Sequence, residues 1–289
     1  MGGLLHNRKV LSQRPSRMAA FKTLVTLFLL VLVLLIMAFS ILDLQNKFLY
    51  YPNSSVPSRE SLSAGDLRFW PAEAHDYRAF VSDSHQSEYK GTVVIFHGNA
   101  GRAADRTYYV KALRPLGYRV LLAEYPGYGG RSGELGELSF VNDARETVKL
   151  AFKQYGTPIY LLGESLGCGV VAAIAKDMPV PIDGIVLITP WDTLLSVAKE
   201  KFPLFPVRWF LRDRYNSVEN LKLFQGKIAV IVAERDEIIP VRHADALYRS
   251  LPGSKRKWVI VGAGHNDWPM SVNKRWWHEV MGFVNETDK

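Results

Sequence analysis

Hydrophobic and polar positions along the chain sort into three patterns. Residues 23–42 form a run of twenty without a charge, rich in Leu, Val, Ile and Phe and lacking any polar face. From about Asp66 onward, short apolar runs recur at 67–70, 77–81, 92–96, 119–123, 159–162, 184–189, 228–233 and 258–261. Most of these are followed by Gly, Pro or a polar turn and then by a helix-length segment. Uninterrupted apolar runs suit parallel strands buried on both faces, and strands alternating with helices predict an α/β domain around a mostly parallel sheet. Between the two regions, residues 43–65 contain the turn-rich stretch Tyr50-Tyr51-Pro52-Asn53-Ser54-Ser55-Val56-Pro57-Ser58 and read as a linker.

The long run predicts a membrane helix. Twenty helical residues reach about 30 Å, the thickness of a bilayer's hydrocarbon core. A cleaved signal peptide is the alternative, with Ala38 and Ser40 spaced as a cleavage site requires. Its apolar region is ordinarily about 7–15 residues, and the greater length here favours an anchor. Charge adds orientation. The formal net charge is +8, but five of the 36 basic residues (Arg8, Lys9, Arg14, Arg17, Lys22) precede the run, leaving 31 against 28 acidic residues. The basic excess is thus largely N-terminal. It predicts a cytoplasmic tail over 1–22, a signal anchor over 23–42 and an exported domain over 66–289. It offers no basic face for nucleic acid on the folded domain. A single cysteine, Cys168, excludes a disulfide framework and a thiolate zinc cage.

One connection breaks the strand–helix rhythm. Nearly forty residues separate the strands at 184–189 and 228–233, including Phe202-Pro203-Leu204-Phe205-Pro206-Val207 and Trp209-Phe210. Residues 191–224 therefore read as a short helical cap, with Pro203 and Pro206 forcing a turn between two helices. Charged residues flank the apolar middle, which predicts that the middle turns inward. The cap either lines an acyl pocket or simply covers the core.

The chemistry gathers where strands end. The run at 159–162 leads into Gly163-Glu164-Ser165-Leu166-Gly167 and a helix-like segment, a G-x-S-x-G turn that would expose the Ser165 hydroxyl at the sheet edge. Serine needs a base oriented by an acid, and the order Ser…Asp…His is expected on this architecture. Asp236 follows the strand at 228–233, and His265 follows the strand at 258–261. Glu234 and Glu237 compete with Asp236 for the acid role. The N–H of Leu166 and that of Asn99, in His97-Gly98-Asn99-Ala100-Gly101, are the candidate oxyanion donors. His97 reads as a loop-orienting residue. His6, His75, His85, His243 and His278 show no constellation. Gly167-Cys168-Gly169-Val170-Val171-Ala172 also fits a dinucleotide fingerprint, but the next strand ends without the acid that fingerprint requires. Cys168 reads as a small buried residue rather than a nucleophile. No metal motif or cofactor loop is present, so neither metal nor cofactor is expected.

Over residues 66–285 the chain resembles the α/β-hydrolase superfamily, in particular the membrane-anchored serine hydrolases of the ABHD and prolyl-oligopeptidase-like groups. The resemblance rests on His97–Gly101, on Glu124-Tyr125-Pro126-Gly127-Tyr128-Gly129-Gly130-Arg131-Ser132, on Gly163–Gly167, on Asp236 and on Gly264-His265. Such proteins often carry Asp-Tyr-Arg-Gly where Glu124-Tyr125-Pro126-Gly127 stands here. The resemblance implies a triad of Ser165, Asp236 and His265, with Asn99 and Leu166 as oxyanion donors. It implies a serine hydrolase acting on an ester, thioester or amide, with a carboxylesterase of apolar acyl substrates foremost. A peptidase of the same fold and an inactive, membrane-tethered binding protein are the alternatives.

Overall fold

The computed structural model describes residues 17–72, 76–82 and 88–286. His6, His75 and His85, and most of the basic tail, lie outside them. The described chain divides into two compact units between Leu44 and Gln45. Residues of the first belong to helix α1 (Arg17–Leu49), on which residues 21–33 are exposed. Among the described residues no helix is long and apolar enough to cross a membrane. Residues 34–42 of the expected span have side chains outside the described set.

In the second unit, eight strands among the described residues form one sheet: β1 (Arg68–Trp70), β2 (Ala79–Ser82), β3 (Thr92–Phe96), β4 (Arg119–Ala123), β5 (Ile159–Glu164), β6 (Gly184–Ile188), β7 (Lys227–Ala233) and β8 (Lys255–Ile260). Their order is β8-β7-β6-β5-β3-β4-β2-β1. Strands β3 to β8 pair in parallel, while β2 runs antiparallel to β1 and β4. The apolar runs follow from burial on both faces. Val94, Phe96, Leu161, Leu187 and Val230 point to one core layer, and their neighbours Val93, Ile95, Leu162, Val186 and Ile231 to the other. The edge strands depart from this pattern: Arg68 of β1 is exposed, and β8 departs furthest. Strand β8 begins with half-buried Lys255 and solvent-facing Arg256 and Lys257, so its apolar signal covers only its second half.

Helices cover both faces. On the first, α4 (Glu137–Tyr155) applies Phe140, Ala144 and Val148, spaced four apart, and α5 (Leu166–Asp177) is buried over ten of its residues. The second face takes Tyr109, Val110 and Leu113 of α3 (Thr107–Leu113) and Trp277, Val280 and Met281 of α10 (Lys274–Asn285). Helix α9 (Val241–Ser250) follows β7 and presents Ala244 and Leu247 to the first layer.

Residues 45–65 do not form a free linker. Tyr51-Pro52 pairs in parallel with Ala100-Gly101, the Tyr50 hydroxyl donates to buried Asp213, and helix α2 (Arg59–Ala64) buries Leu62. Turn-forming residues set the local bends here. The hydrogen bonds that tie the segment down come from residues far along the chain. Burial, reinforced by Asp213, lifts the Tyr50 phenol well above its ordinary range, so it stays protonated as a donor.

The connection between β6 and β7 holds α6 (Leu194–Lys201), α7 (Val207–Phe210) and α8 (Ser217–Leu221). Helix breaks fall at Pro203 and Pro206 as their missing N–H groups require. The apolar middle faces outward: Leu204 is 99% and Trp209 86% exposed. Only Val207 of that stretch is buried. The inward-turning middle expected from the charged flanks is therefore corrected. The flanking acids fasten the cap: Asp213, buried, meets Tyr50, and Glu200, itself exposed, meets Arg242 and His243 of α9.

Candidate active site

Ser165 sits on the turn between β5 and α5 with φ 52° and ψ −112°, a backbone region that costs an L-residue roughly 1–3 kcal/mol. Two hydrogen bonds hold it there. Ser165 N–H donates to Ile188 O at 2.9 Å, and Cys168 N–H donates to Ser165 O at 2.9 Å. The flanking glycines are demanded by close approach. A Cβ on Gly167 would lie 1.9 Å from Phe96 O, and one on Gly163 would lie 2.6 Å from the Cys168 backbone. Gly169 packs against the Tyr215 ring, where a Cβ would come within 2.7 Å. The glycines of the dinucleotide-like pattern thus serve protein packing.

The loops after β7 and β8 bring Asp236 and His265 to Ser165. His265 Nε2 lies 3.0 Å from Ser165 Oγ, and His265 Nδ1 lies 2.8 Å from Asp236 Oδ2. Both the imidazole and the carboxylate are buried. An ionised carboxylate only accepts, so Nδ1 carries the proton and Nε2 is left to accept from the serine hydroxyl. Asp236 Oδ1 accepts from Ile238 N–H at 3.0 Å and Ile239 N–H at 2.7 Å, which fixes the carboxylate's orientation. The rival acids have other work. Glu234 Oε2 accepts from Gly262 N–H at 2.8 Å, and Glu237 Oε2 from His265 N–H at 3.1 Å. Both brace the histidine loop.

The loop after β3 lies alongside. A Cβ on Gly98 would stand 3.6 Å from Ser165 Cβ. The Asn99 carbonyl accepts from Tyr51 N–H at 2.9 Å and Tyr128 Oη at 2.7 Å, and Asn99 Nδ2 donates to Leu49 O at 2.8 Å. These contacts set the Asn99 peptide. Leu166 opens α5, so its N–H has no partner within its own helix, and the positive end of the helix dipole lies there. His97 Nε2 is 2.9 Å from Glu124 Oε1, with both side chains fully buried, and Nδ1 donates to Gly98 O at 2.7 Å. Glu124 also accepts from Ala103 N–H at 2.9 Å and Tyr125 N–H at 3.2 Å. His97 and Glu124 thus hold the loop.

A second group beneath the site was not signalled by any motif. Glu164, next to Ser165, accepts from the hydroxyls of Tyr108 and Tyr109 and lies 3.4 Å from Arg106 Nε. Burial and then Glu164 push both phenols well up, so they remain donors. Burial is the largest influence on the Arg106 guanidinium and works against its charge, but Glu164, Tyr108, Tyr109 and Asp105 together outweigh it and raise its pKa. Consecutive tyrosines after a charged turn were the available signal, though nothing in the spacing names their partner. Burial likewise lifts the Cys168 thiol well above its ordinary value, and its Sγ donates to Gly163 O and Ile188 O at 3.2 Å. It is a packed thiol without nucleophile character.

His243 corrects a further expectation. It has a constellation: Nδ1 lies 2.9 Å from Asp192 and Nε2 3.0 Å from Glu200, so it fastens α9 to α6. His278 is exposed on α10. Among the described residues no group of three or more His, Cys, Asp or Glu side chains is arranged to hold a metal.

Comparison with known proteins agrees with this architecture. Residues 87–218 match the model of the family described as Serine aminopeptidase, S33. An uncharacterised protein of Mycobacterium tuberculosis is 32% identical over 251 residues, covering 84% of this chain and 88% of that one. The lysophosphatidylserine lipase ABHD12 of Danio rerio is 29% identical over 215 residues, 65% of this chain and 55% of the lipase. Among solved structures, an esterase of Pyrococcus furiosus superposes with a TM-score of 0.60 at 17% identity, over 82% of this chain and 97% of that one. A monoacylglycerol lipase of Paleococcus ferrophilus superposes with a TM-score of 0.50 at 17% identity, over 72% and 98%. With the strand order and the serine turn at the carboxyl edge of the sheet, these likenesses identify the chain as a hydrolase of the α/β-hydrolase superfamily, of the ABHD type.

Proposed function

We propose that the protein is a serine hydrolase that cleaves a carboxylic ester with an apolar acyl group through an acyl-enzyme on Ser165. The observation that carries the reading is the buried chain Ser165 Oγ–His265 Nε2–Asp236, with links of 3.0 and 2.8 Å. Ser165 Oγ attacks the carbonyl carbon as its proton passes to His265 Nε2. The carbonyl oxygen gains the charge and receives the N–H groups of Leu166 and Asn99, each worth roughly 3 kcal/mol in such sites. Collapse expels the alcohol, which takes the proton from Nε2. Water then attacks the acyl carbon with His265 again as base, freeing the acid and Ser165. Every atom and proton is accounted for by these side chains and water, so the reaction needs neither metal nor cofactor.

The apolar acyl preference is supported by a lipase among the relatives. Amide cleavage is favoured by one observation, the description of the matching family as an aminopeptidase. We also assign residues 23–42 as a membrane anchor with the basic tail cytoplasmic and the domain exported, on the strength of twenty uncharged residues behind five cations. The substrate is a small acyl or peptide molecule, and no nucleic-acid role is assigned.

The test is a fluorophosphonate probe on the full-length protein in detergent, followed by turnover of p-nitrophenyl esters and aminoacyl anilides. Ser165→Ala is expected to abolish both labelling and ester turnover. Persistent labelling of Ser165→Ala refutes the nucleophile. A native protein that neither labels nor turns over any ester or anilide is a binding protein on the same fold.

A further inference from the structure

The cap presents its largest apolar residues to solvent. Besides Leu204 and Trp209, Phe202 is 45% and Phe205 46% exposed. They share one compact knob. Phe205 N–H donates to Phe202 O at 3.1 Å, Trp209 N–H donates to Pro206 O at 3.0 Å, and the Phe205 and Phe210 rings lie 4.8 Å apart. Phe48, 62% exposed, extends the patch by an edge contact with Phe202 at 6.2 Å. Contiguous apolar surface of this kind marks an interaction site.

The rim identifies the partner. Between residues 199 and 214 the chain carries five exposed cations, Lys199, Lys201, Arg208, Arg212 and Arg214. Of the two acids in the same stretch, Asp213 is buried and Glu200, although exposed, is paired. Glu200 is held by Arg242 and His243, and Asp213 is buried under Tyr50 and Gln45. An apolar tip with Trp, Phe and Leu inside a cationic collar matches the interfacial zone of an anionic bilayer, where acyl chains take the tip and headgroups pair with the collar. Chain length brings that bilayer within reach. Phe48 follows Leu42 by six residues, which span at most about 20 Å. If residues 23–42 are anchored, Phe48 stays near the membrane surface.

We propose that the cap tip, Phe202, Leu204, Phe205 and Trp209 together with Phe48, docks into the surface of an anionic lipid bilayer. The patch borders the candidate active site on two sides. Lys201 Nζ donates to Ile238 O at 3.4 Å in the Asp236 loop, and Leu49, next to Phe48, accepts from Asn99 Nδ2 at 2.8 Å. Docking therefore sets the rim of the site at the lipid surface. The inference rests on the anchor assignment for its reach and is independent of the catalytic one.

The experiment uses the full chain with Leu204→Cys, and separately Trp209→Cys, carrying an NBD fluorophore. Leu204 is 99% exposed, so its replacement does not disturb packing, and Cys168 is buried and does not label. The protein is reconstituted into vesicles of phosphatidylcholine with phosphatidylglycerol. NBD at 204 and 209 is expected to be quenched by a doxyl group on an upper acyl carbon and shielded from aqueous iodide. NBD at Ser254→Cys, before β8 on the opposite sheet edge, is expected to show the reverse. Omitting phosphatidylglycerol should lower the docked fraction on the order of tenfold, about the effect of one or two collar charges. Co-flotation with vesicles but iodide quenching at 204 and 209 overturns docking and leaves the anchor standing. Failure to float overturns both. A docked fraction equal in the two lipid mixtures overturns the assignment of the collar to headgroups.

Discussion

Asp236→Asn separates the acid from its neighbours by chemistry alone. The asparagine carbonyl can keep the bonds from Ile238 and Ile239 N–H that Asp236 Oδ1 now accepts, so the loop should hold its shape. Its amide nitrogen then faces His265 Nδ1 across the present 2.8 Å contact. Two donors cannot meet there, so the imidazole shifts its proton to Nε2. That proton points at Ser165 Oγ, 3.0 Å away, where the mechanism needs an acceptor. The expected loss is about 10⁴-fold in kcat, the size found when a triad acid is neutralised without moving it. At 1.36 kcal/mol per decade this is about 5.5 kcal/mol of transition-state stabilisation. The assay is kcat and single-turnover acylation with a p-nitrophenyl ester, alongside thermal melting to show that the fold is kept. Glu234→Gln and Glu237→Gln retain a carbonyl for Gly262 and His265 N–H and should be far milder. A mild Asp236→Asn, or a Glu237→Gln equally damaging, refutes the assignment of the acid.

Two further outcomes test the packing around the serine. Gly167→Ala, whose Cβ would meet the Phe96 carbonyl at 1.9 Å, should destabilise the domain by about 3 kcal/mol or more in urea titration, while Gly282→Ala in α10, with nothing within 4 Å, should stabilise it by about 0.5–1 kcal/mol. Cys168, buried and with its thiol raised by that burial, should resist iodoacetamide in the native protein even at pH 9 and react fully in urea; rapid native alkylation would contradict the packed geometry at the start of α5.

The sheet was legible because its central strands are buried on both faces. Residues 92–96 and 119–123 coincide with β3 and β4 for that reason, whereas β8 was found only from Trp258 because an edge strand keeps half its residues wet. Ser165, His265 and Asp236 were legible as positions, since each follows a strand that the apolar pattern had already located. Their separations were not, and neither was the division of labour among Asp236, Glu234 and Glu237. Three acids within four residues have the same chemistry, and only the direction of each side chain distinguishes them. The pairs His97–Glu124 and Glu164–Tyr109 were hidden for a related reason. Each joins residues more than twenty positions apart, and a buried carboxylate carries no local signature of its partner. His243 shows the same limit, because Asp192 and Glu200 reach it from another helix.

The cap reversed its expected orientation, and the reversal has a physical cause. Apolar residues between charged flanks tell which surface avoids water. They do not tell whether the medium that replaces water is the protein's own core or something outside it. In the core the answer is forced by volume: α5 has no room to turn, since Gly163, Gly167 and Gly169 already touch backbone or ring. The cap has no such constraint. Its two ends are already seated in the core by Trp191, Leu194, Tyr215, Leu221 and Phe224, and polar pairs of Asp192, Glu200 and Asp213 with His243, Arg242, Gln45 and Tyr50 fasten it further. Those pairs use up the acids and leave Leu204, Trp209 and the cations together on the outer side. Asp213 is buried and Glu200 is paired with Arg242 and His243, so the same bonds that hold the cap in place leave its outer face mainly cationic and apolar. Attachment to the domain and affinity for an anionic lipid surface are therefore linked. Glu200→Gln, which removes one negative charge and weakens the ties to Arg242 and His243, should loosen α6 from α9 and leave the outer face more cationic.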